Sequence, residues 1–386
     1  MKARYVGAAL CVAAVLCVAA EAHAGEKPWI VSFYLNQGNW SANGVDHQGR
    51  QSIASTQLVY KKNDWGVAVT ESYTSTSYNT SLSNDNFEVD TPTDVSISSY
   101  YIKKLNKITL RGGLDISLGT GTNQYKTSEL QSMIIDDINE DLMLINNYGS
   151  GLNFRPHILA AYDAGPMTWG AGANYLLSGA FDPISDDNSG DEYNQGDKFT
   201  LFLSNLYKLS NKNFTLVTLS YSNWQTDTFG KQDLFSNGDK YQIKGRWVSE
   251  WAPLFRGTVG VQYSWQDKNK TFEGEDVFVT EKSNANGNEI EIFLDGLYSL
   301  TNSLSPTFIL GYKQVENNGY ASGEALYDAG RSLTYLEPGL IWYHGKDMYV
   351  VGKLRYSRIE DKADAFSVNN ATYDVINMDI GLVLTF

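Results

Sequence analysis

The chain has 386 residues, with 30 Lys and Arg against 44 Asp and Glu and a formal net charge of −14. An acidic balance of this size gives no electrostatic reason to bind nucleic acid. Both cysteines, Cys11 and Cys17, fall within the first 24 residues, so the rest of the chain can form no disulfide, thiolate nucleophile, iron–sulfur site or covalent haem link.

Residues 1–24 read as a secretory signal peptide. Lys2 and Arg4 supply the positive start, Val6 to Ala20 are apolar, and Ala22 and Ala24 flank His23 as a small-residue cleavage site. An apolar stretch of 15 residues is short for a membrane span. Cleavage leaves 362 residues at a net charge of −15. Residues 25–386 show no Pro-rich linker, long charge block or low-complexity tract, and so read as one domain. What recurs is a unit of roughly 40 residues: an apolar-alternating segment, a tight polar turn, a second such segment, then a longer acidic or Asn/Gly-rich loop.

In chain order the predicted strands are 29–39; 50–62 and 64–79; 94–104 and 107–120; 151–163 and 167–180; 198–209 and 213–226; 238–251 and 254–267; 287–300 and 304–316; 332–343, 347–359 and 373–386. Short turns join the pairs, at Asn63, Asn106, Gly165, Asn211, Pro253 and Asn302. The count is 16, with 14 left open because the second and fourth segments are rich in Ser and Thr. The last strand is the plainest. Ile376, Met378, Ile380, Leu382, Leu384 and Phe386 share one parity, while Asn377, Asp379, Gly381, Val383 and Thr385 share the other.

A strand of about ten residues, apolar outward and polar inward, spans a membrane as part of a closed barrel. The expected fold is therefore all-β, a transmembrane antiparallel up-and-down β-barrel. The final segment, ending in Phe386, resembles the closing strand of Gram-negative outer-membrane barrels. That resemblance implies an outer-membrane location, with Phe386 as the signal read by the barrel-assembly machinery.

Aromatic residues cluster near the strand ends. Tyr60, Trp65, Tyr162, Trp169, Trp251, Phe255, Trp342 and Tyr349 flank short turns, and Trp40, Tyr73, Tyr175, Trp224, Trp265 and Tyr356 lie toward the long loops. Two belts at the lipid interfaces are expected from this pattern. Parity drafts the inner wall as Arg111, Asp115, Arg155, Lys244, Arg246, Glu291, Asp295, Lys313, Glu337, Lys353, Arg355 and Asp379, because a charge facing the bilayer midplane costs about 2–4 kcal/mol. About 16 strands leave an aqueous channel. Glu71 breaks the rule by sharing parity with Val67, Val69 and Tyr73, and a bulge is the expected cause.

The third outer loop, 121–149, carries a helical period: Leu130, Ile134, Ile138, Leu142 and Ile145 form a stripe, with Ser128 and Gln131 as a capping box. Asp136, Asp137, Glu140 and Asp141 occupy the rest of its surface. An amphipathic helix of about 16 residues is roughly 24 Å long, enough to cross a barrel mouth. This loop resembles the inward-folded constriction loop of general porins, which makes those four acids the expected constriction and the pore weakly cation-preferring. An external lid or a docking face is the alternative.

Catalysis has little support, since His47, His157 and His344 are isolated and no Ser–His or Asp–His constellation can be assembled from the sequence. The segment from Asp186 to Glu192 has the acid density of a calcium loop but the wrong glycine spacing. No cofactor and no metal are expected. Three functions fit: passive diffusion of small hydrophilic solutes, a structural sheath around a multihaem cytochrome supplied by a periplasmic or surface partner, and uptake of hydrophobic compounds. Outer-membrane lipid is the expected surrounding, and assembly into a homo-oligomer is left open.

Overall fold

The computed structural model describes residues 27–43, 47–80, 87–127, 139–145, 148–185, 191–273, 277–362 and 370–386. The expected signal peptide at 1–24 lies outside the described residues.

The chain forms a closed antiparallel barrel of 16 strands. In chain order they are β1 (Trp29–Asn43), β2 (His47–Lys62), β3 (Trp65–Thr80), β4 in two pieces (Phe87–Pro92 and Ser96–Leu105), β5 (Ile108–Leu118), β6 (Leu152–Ala164), β7 (Met167–Leu176) and β8 (Lys198–Lys208). The second half is β9 (Asn213–Trp224), β10 (Lys240–Ala252), β11 (Phe255–Gln266), β12 (Glu289–Tyr298), β13 (Leu304–Val315), β14 (Arg331–His344), β15 (Met348–Asp361) and β16 (Ala371–Thr385). Each strand pairs with its neighbours in sequence, and β16 returns to β1 in a register running from Ile30 opposite Thr385 to Asn43 opposite Thr372. The seam ends in a reciprocal backbone pair, with Trp29 N–H donating to the Phe386 carbonyl and Phe386 N–H to that of Trp29.

Local chemistry explains the tight ends. Asn63 and Asn106 both adopt φ of 54°, and Gly165 and Gly345 sit at 82° and 71°, the left-handed values that short hairpin turns need. The turns, Trp29 and Phe386 lie at one rim, and the longer loops at the other. Outward-facing side chains such as Leu35, Ile158, Leu203, Ile292, Leu336 and Ile380 are large, apolar and exposed. With no protein layer to cover that band, lipid is the medium that matches it.

Two sequence expectations need correction. Glu71 is exposed, as its parity predicts, but β2 and β3 keep one register through it. The irregularity belongs to β4, which pairs Pro92 with Tyr73 and then Ser96 with Thr70, leaving residues 93–95 as a one-residue bulge beside Glu71. The aromatic pattern puts Trp40 and Trp224 in the outer belt, yet both are buried and share the inward parity. Here the strands run beyond the apolar band, so the inner side is the drier one. The turn-side belt is as expected, with Trp251 against Phe255 and Phe255 stacked on Phe308 at 6.2 Å.

Candidate functional site

The inner wall is where the charged parity meets, and glycine shapes it. A ring on one strand repeatedly lies flat over a glycine of the next: Tyr100 over Gly66, His157 over Gly113, Phe202 over Gly172, Phe293 over Gly260, Tyr335 over Gly311 and Tyr34 over Gly381. A Cβ at Gly311 would fall 2.1 Å from the Tyr335 ring, and one at Gly66 2.2 Å from that of Tyr100. Three of these rings also carry a guanidinium: Arg111 at 4.1 Å from the Tyr100 centroid, Arg355 at 4.4 Å from Tyr335 and Arg246 at 5.6 Å from Phe293. The cation is attracted by the ring's negative face and held at a fixed height on the wall.

The drafted residues fall into two groups. On β12 to β16 the carboxylates are engaged. Glu337 takes Lys353 at 3.0 Å and Arg355 at 2.9 Å, next to Pro338, where the ladder to β15 lapses because proline has no N–H to give. Tyr335 Oη donates to Glu291 at 2.8 Å. Asp295 lies within the fields of Lys353, Arg246 and Arg256, and Asn36 donates to Asp379 across the seam. Away from the turns, the inward face from β5 to β11 carries Arg111, Arg155, Lys198, Lys240, Lys244 and Arg246 and, among the described residues of these strands, one carboxylate, Asp115. Asp115 has His157 Nδ1 at 3.6 Å and Arg155 nearby. An Asp–His pair is thus assembled where none was expected, though at a separation beyond a hydrogen bond.

Sequence reading missed Lys198, Lys240, Arg256 and Glu289. Lys198 and Lys240 open their strands, where parity has few residues to show itself. Lys198 lies 4.4 Å over the Trp224 ring, and Lys240 is 3.9 Å from Glu289.

The third loop enters the barrel. Asp141 receives Lys313 Nζ and Arg331 Nε, each at 2.6 Å, with 4% of its side chain exposed. Lys313 is on β13 and Arg331 on β14, each eight strands from the β5–β6 pair that the loop joins, so the contact spans the bore. Burial alone would push this carboxyl up, but the Arg331 and Lys313 charges outweigh it and hold it well below the usual carboxylate range. The described helix is only Asn139–Leu142. Leu142 is buried as its place in the stripe implies, and Ile145 packs beside it beyond the helix end. Asp136 and Asp137 lie outside the described residues, as do Ser128, Leu130, Gln131, Ile134 and Ile138, and only the backbone of Glu140 is described.

Around Leu142 the loop makes a small apolar core inside the outer mouth, with Met143 and Tyr148 against Trp40, Tyr78, Phe87, Ile359, Tyr373 and Val375. Tyr78 stacks on Phe87 at 4.7 Å. Gln51 on β2 holds the loop backbone at Ile145 in both directions, at 2.7 and 3.0 Å. Burial pushes the Tyr148 hydroxyl up to about 12. The loop's two legs are tied to one carboxylate in the β4 bulge: Asp94 accepts from Gly121 N–H at 2.8 Å, Ser150 N–H at 2.9 Å and Ser117 Oγ at 3.0 Å.

Among the described residues, no group of three His, Cys, Asp or Glu is placed to hold a metal; of the expected calcium-like segment, 186–190 lie outside them. No family model matches the chain, nor does any curated protein sequence. Similar solved structures include the CymD monoaromatic hydrocarbon channel (10% identity, TM-score 0.47, covering 94% of this chain and 89% of that one). Another is OccK11 (OpdR) of Pseudomonas aeruginosa (10%, TM-score 0.46, 93% and 96%), and a third is a bacterial polysaccharide outer membrane secretin (10%, TM-score 0.48, 92% and 98%). Likenesses this distant carry nothing about cargo.

Proposed function

We propose that this chain, which has the fold of an outer-membrane β-barrel, is an outer-membrane channel for passive diffusion of small hydrophilic solutes. The observation that carries the reading is the charged inner wall at mid-height. Arg246, Asp295, Glu337, Lys353 and Arg355 face inward, where a sealed barrel would hold interlocking apolar side chains. The docked segment narrows such a passage, since the contacts of residues 139–145 and 148 fall on β1 to β4 and β13 to β16.

The same loop weighs against a sheath around a cytochrome, because the bridge from Asp141 to Arg331 crosses the space a partner would occupy. Hydrophobic uptake is disfavoured as well: the apolar surface inside the mouth is already buried against Leu142, Met143 and Tyr148. The test is purification from outer membrane in mild detergent, followed by planar-bilayer recording. Discrete conductance steps from haem-free protein are expected. A folded barrel that does not conduct, or that carries haem protein with it, would refute the reading.

A further inference from the structure

Glu71 is a charge on the lipid-facing side of the barrel. It stands six residues along β3 from Trp65, and Thr56, its cross-strand neighbour, stands six residues along β2 from Lys62. At the same count from the short-turn ends of their own strands, the outward residues are Ile158, Leu219, Val261, Ile292, Leu310 and Leu354, all large, aliphatic and exposed. Two residues further from the turns come Tyr73, Tyr221, Tyr312 and Tyr356. The Glu71 carboxylate therefore lies within the apolar band, on the turn side of the outer aromatic ring, where hydrocarbon offers a charge no partner.

The side chains around it are small or polar as well. Ser52, Ala54 and Thr56 on β2 and Ser75 on β3 share its outward face. Among the described residues, the Glu71 carboxylate makes no hydrogen bond or ion pair, nor does the Thr56 hydroxyl beside it. Small residues let two membrane-embedded surfaces approach closely, and hydroxyl groups join them across the gap.

The register adds a self-complementary property. Thr56 and Glu71 are directly opposed, so a two-fold axis along the membrane normal and between them sets each Glu71 against the partner's Thr56. One contact then matches donor to acceptor twice. The strands that carry the six aliphatic side chains offer Glu71 no donor at that height, so contact with one of those faces of a second copy would leave it unmatched.

We infer that the outward face of the β2–β3 hairpin is the interface between two copies of this chain in the outer membrane, closed by reciprocal hydrogen bonds in which Thr56 Oγ1 donates to the partner's Glu71. Each copy keeps its own bore, so the contact does not depend on conduction.

Beyond residue 24 the chain has no cysteine, which suits it to site-directed cross-linking in intact outer membrane. Leu58→Cys and, separately, Tyr73→Cys put one thiol on the outward face next to the Thr56 and Glu71 pair, while Val261→Cys puts one on the far side of the barrel. A short bis-maleimide should give a dimer of this chain with each of the first two and only monomer with the third. Added to Leu58→Cys, Glu71→Leu should cut the dimer several-fold although it suits lipid better, whereas Glu71→Gln, which still accepts from Thr56, should keep it. Heat-modifiable migration confirms that each variant is folded. Absence of dimer from both Leu58→Cys and Tyr73→Cys, equal cross-linking at Val261→Cys, coupling to a different protein, or a dimer undiminished by Glu71→Leu would each overturn the inference.

Discussion

Asp141 and Arg331 are separated by 190 residues and meet at 2.6 Å, joining a loop that springs from β5 to the wall diametrically opposite it. Both side chains are nearly dry, at 4% and 6% exposed. Removing one member of such a pair leaves the other charge uncompensated, at a cost of about 3–5 kcal/mol. Asp141→Asn should therefore free the segment from the far wall, leaving Lys313 and Arg331 facing each other. The expected result is larger and noisier single-channel conductance from a barrel that still runs as the folded form on unheated gels.

Acid should not release the loop until late. The Asp141 carboxyl is depressed in the docked state, so its contribution is complete above the ordinary carboxylate value of about 4 and is lost only as pH falls through the lowered value. A fluorophore on Leu144→Cys, an exposed position in that segment, reports this directly. Its anisotropy should stay constant from neutral pH to about 4 and fall only in stronger acid. Release near pH 6 would show that another group holds the loop.

The ring-over-glycine stacks predict a contrast between two glycines. Gly311→Ala puts a methyl 2.1 Å from the Tyr335 ring, which also holds Arg355. Overpacking of this kind costs about 1–3 kcal/mol, and the midpoint of heat conversion on gels should fall. Gly352→Ala meets nothing within 4 Å and should leave that midpoint unchanged.

Asp94→Ala removes the acceptor shared by Gly121 and Ser150. Two half-buried backbone donors lose their partner, a penalty of at most about 1–3 kcal/mol each. The barrel should assemble normally, but added protease should cut between 121 and 150 at a rate well above wild type. Equal protection would mean that the apolar packing around Leu142 suffices.

Deleting Phe386 removes the last rung of the seam, the reciprocal backbone pair with Trp29. The folded, heat-modifiable fraction should drop. Full folding without it would count against a role for this residue in closure.

The barrel was legible because lipid imposes a period of 2 that nothing else on the chain contradicts, and Asn63 and Asn106 mark the turns. Parity likewise put Arg111, Glu337 and Lys353 on the inner face. It failed where the strands leave the apolar band. Trp40 and Trp224 turn inward because the packed surface there is inside. Lys198 was missed at a strand boundary. Asp94 was missed because a bulge residue has no parity, and the tie from Asp141 to Arg331 because periodicity holds no information about partners so far apart.

The two legs of the third loop converge on Asp94, and a Cβ on Gly119 would lie 2.9 Å from the backbone of Gly151. The segment therefore leaves the wall and rejoins it at one point, without prising β5 and β6 apart. A loop rooted in this way is a cassette. Its length and side chains can diverge, or be exchanged for those of another barrel, while the strand ladder on either side keeps its register, so descendants of one scaffold can come to differ in what they admit through this insert alone.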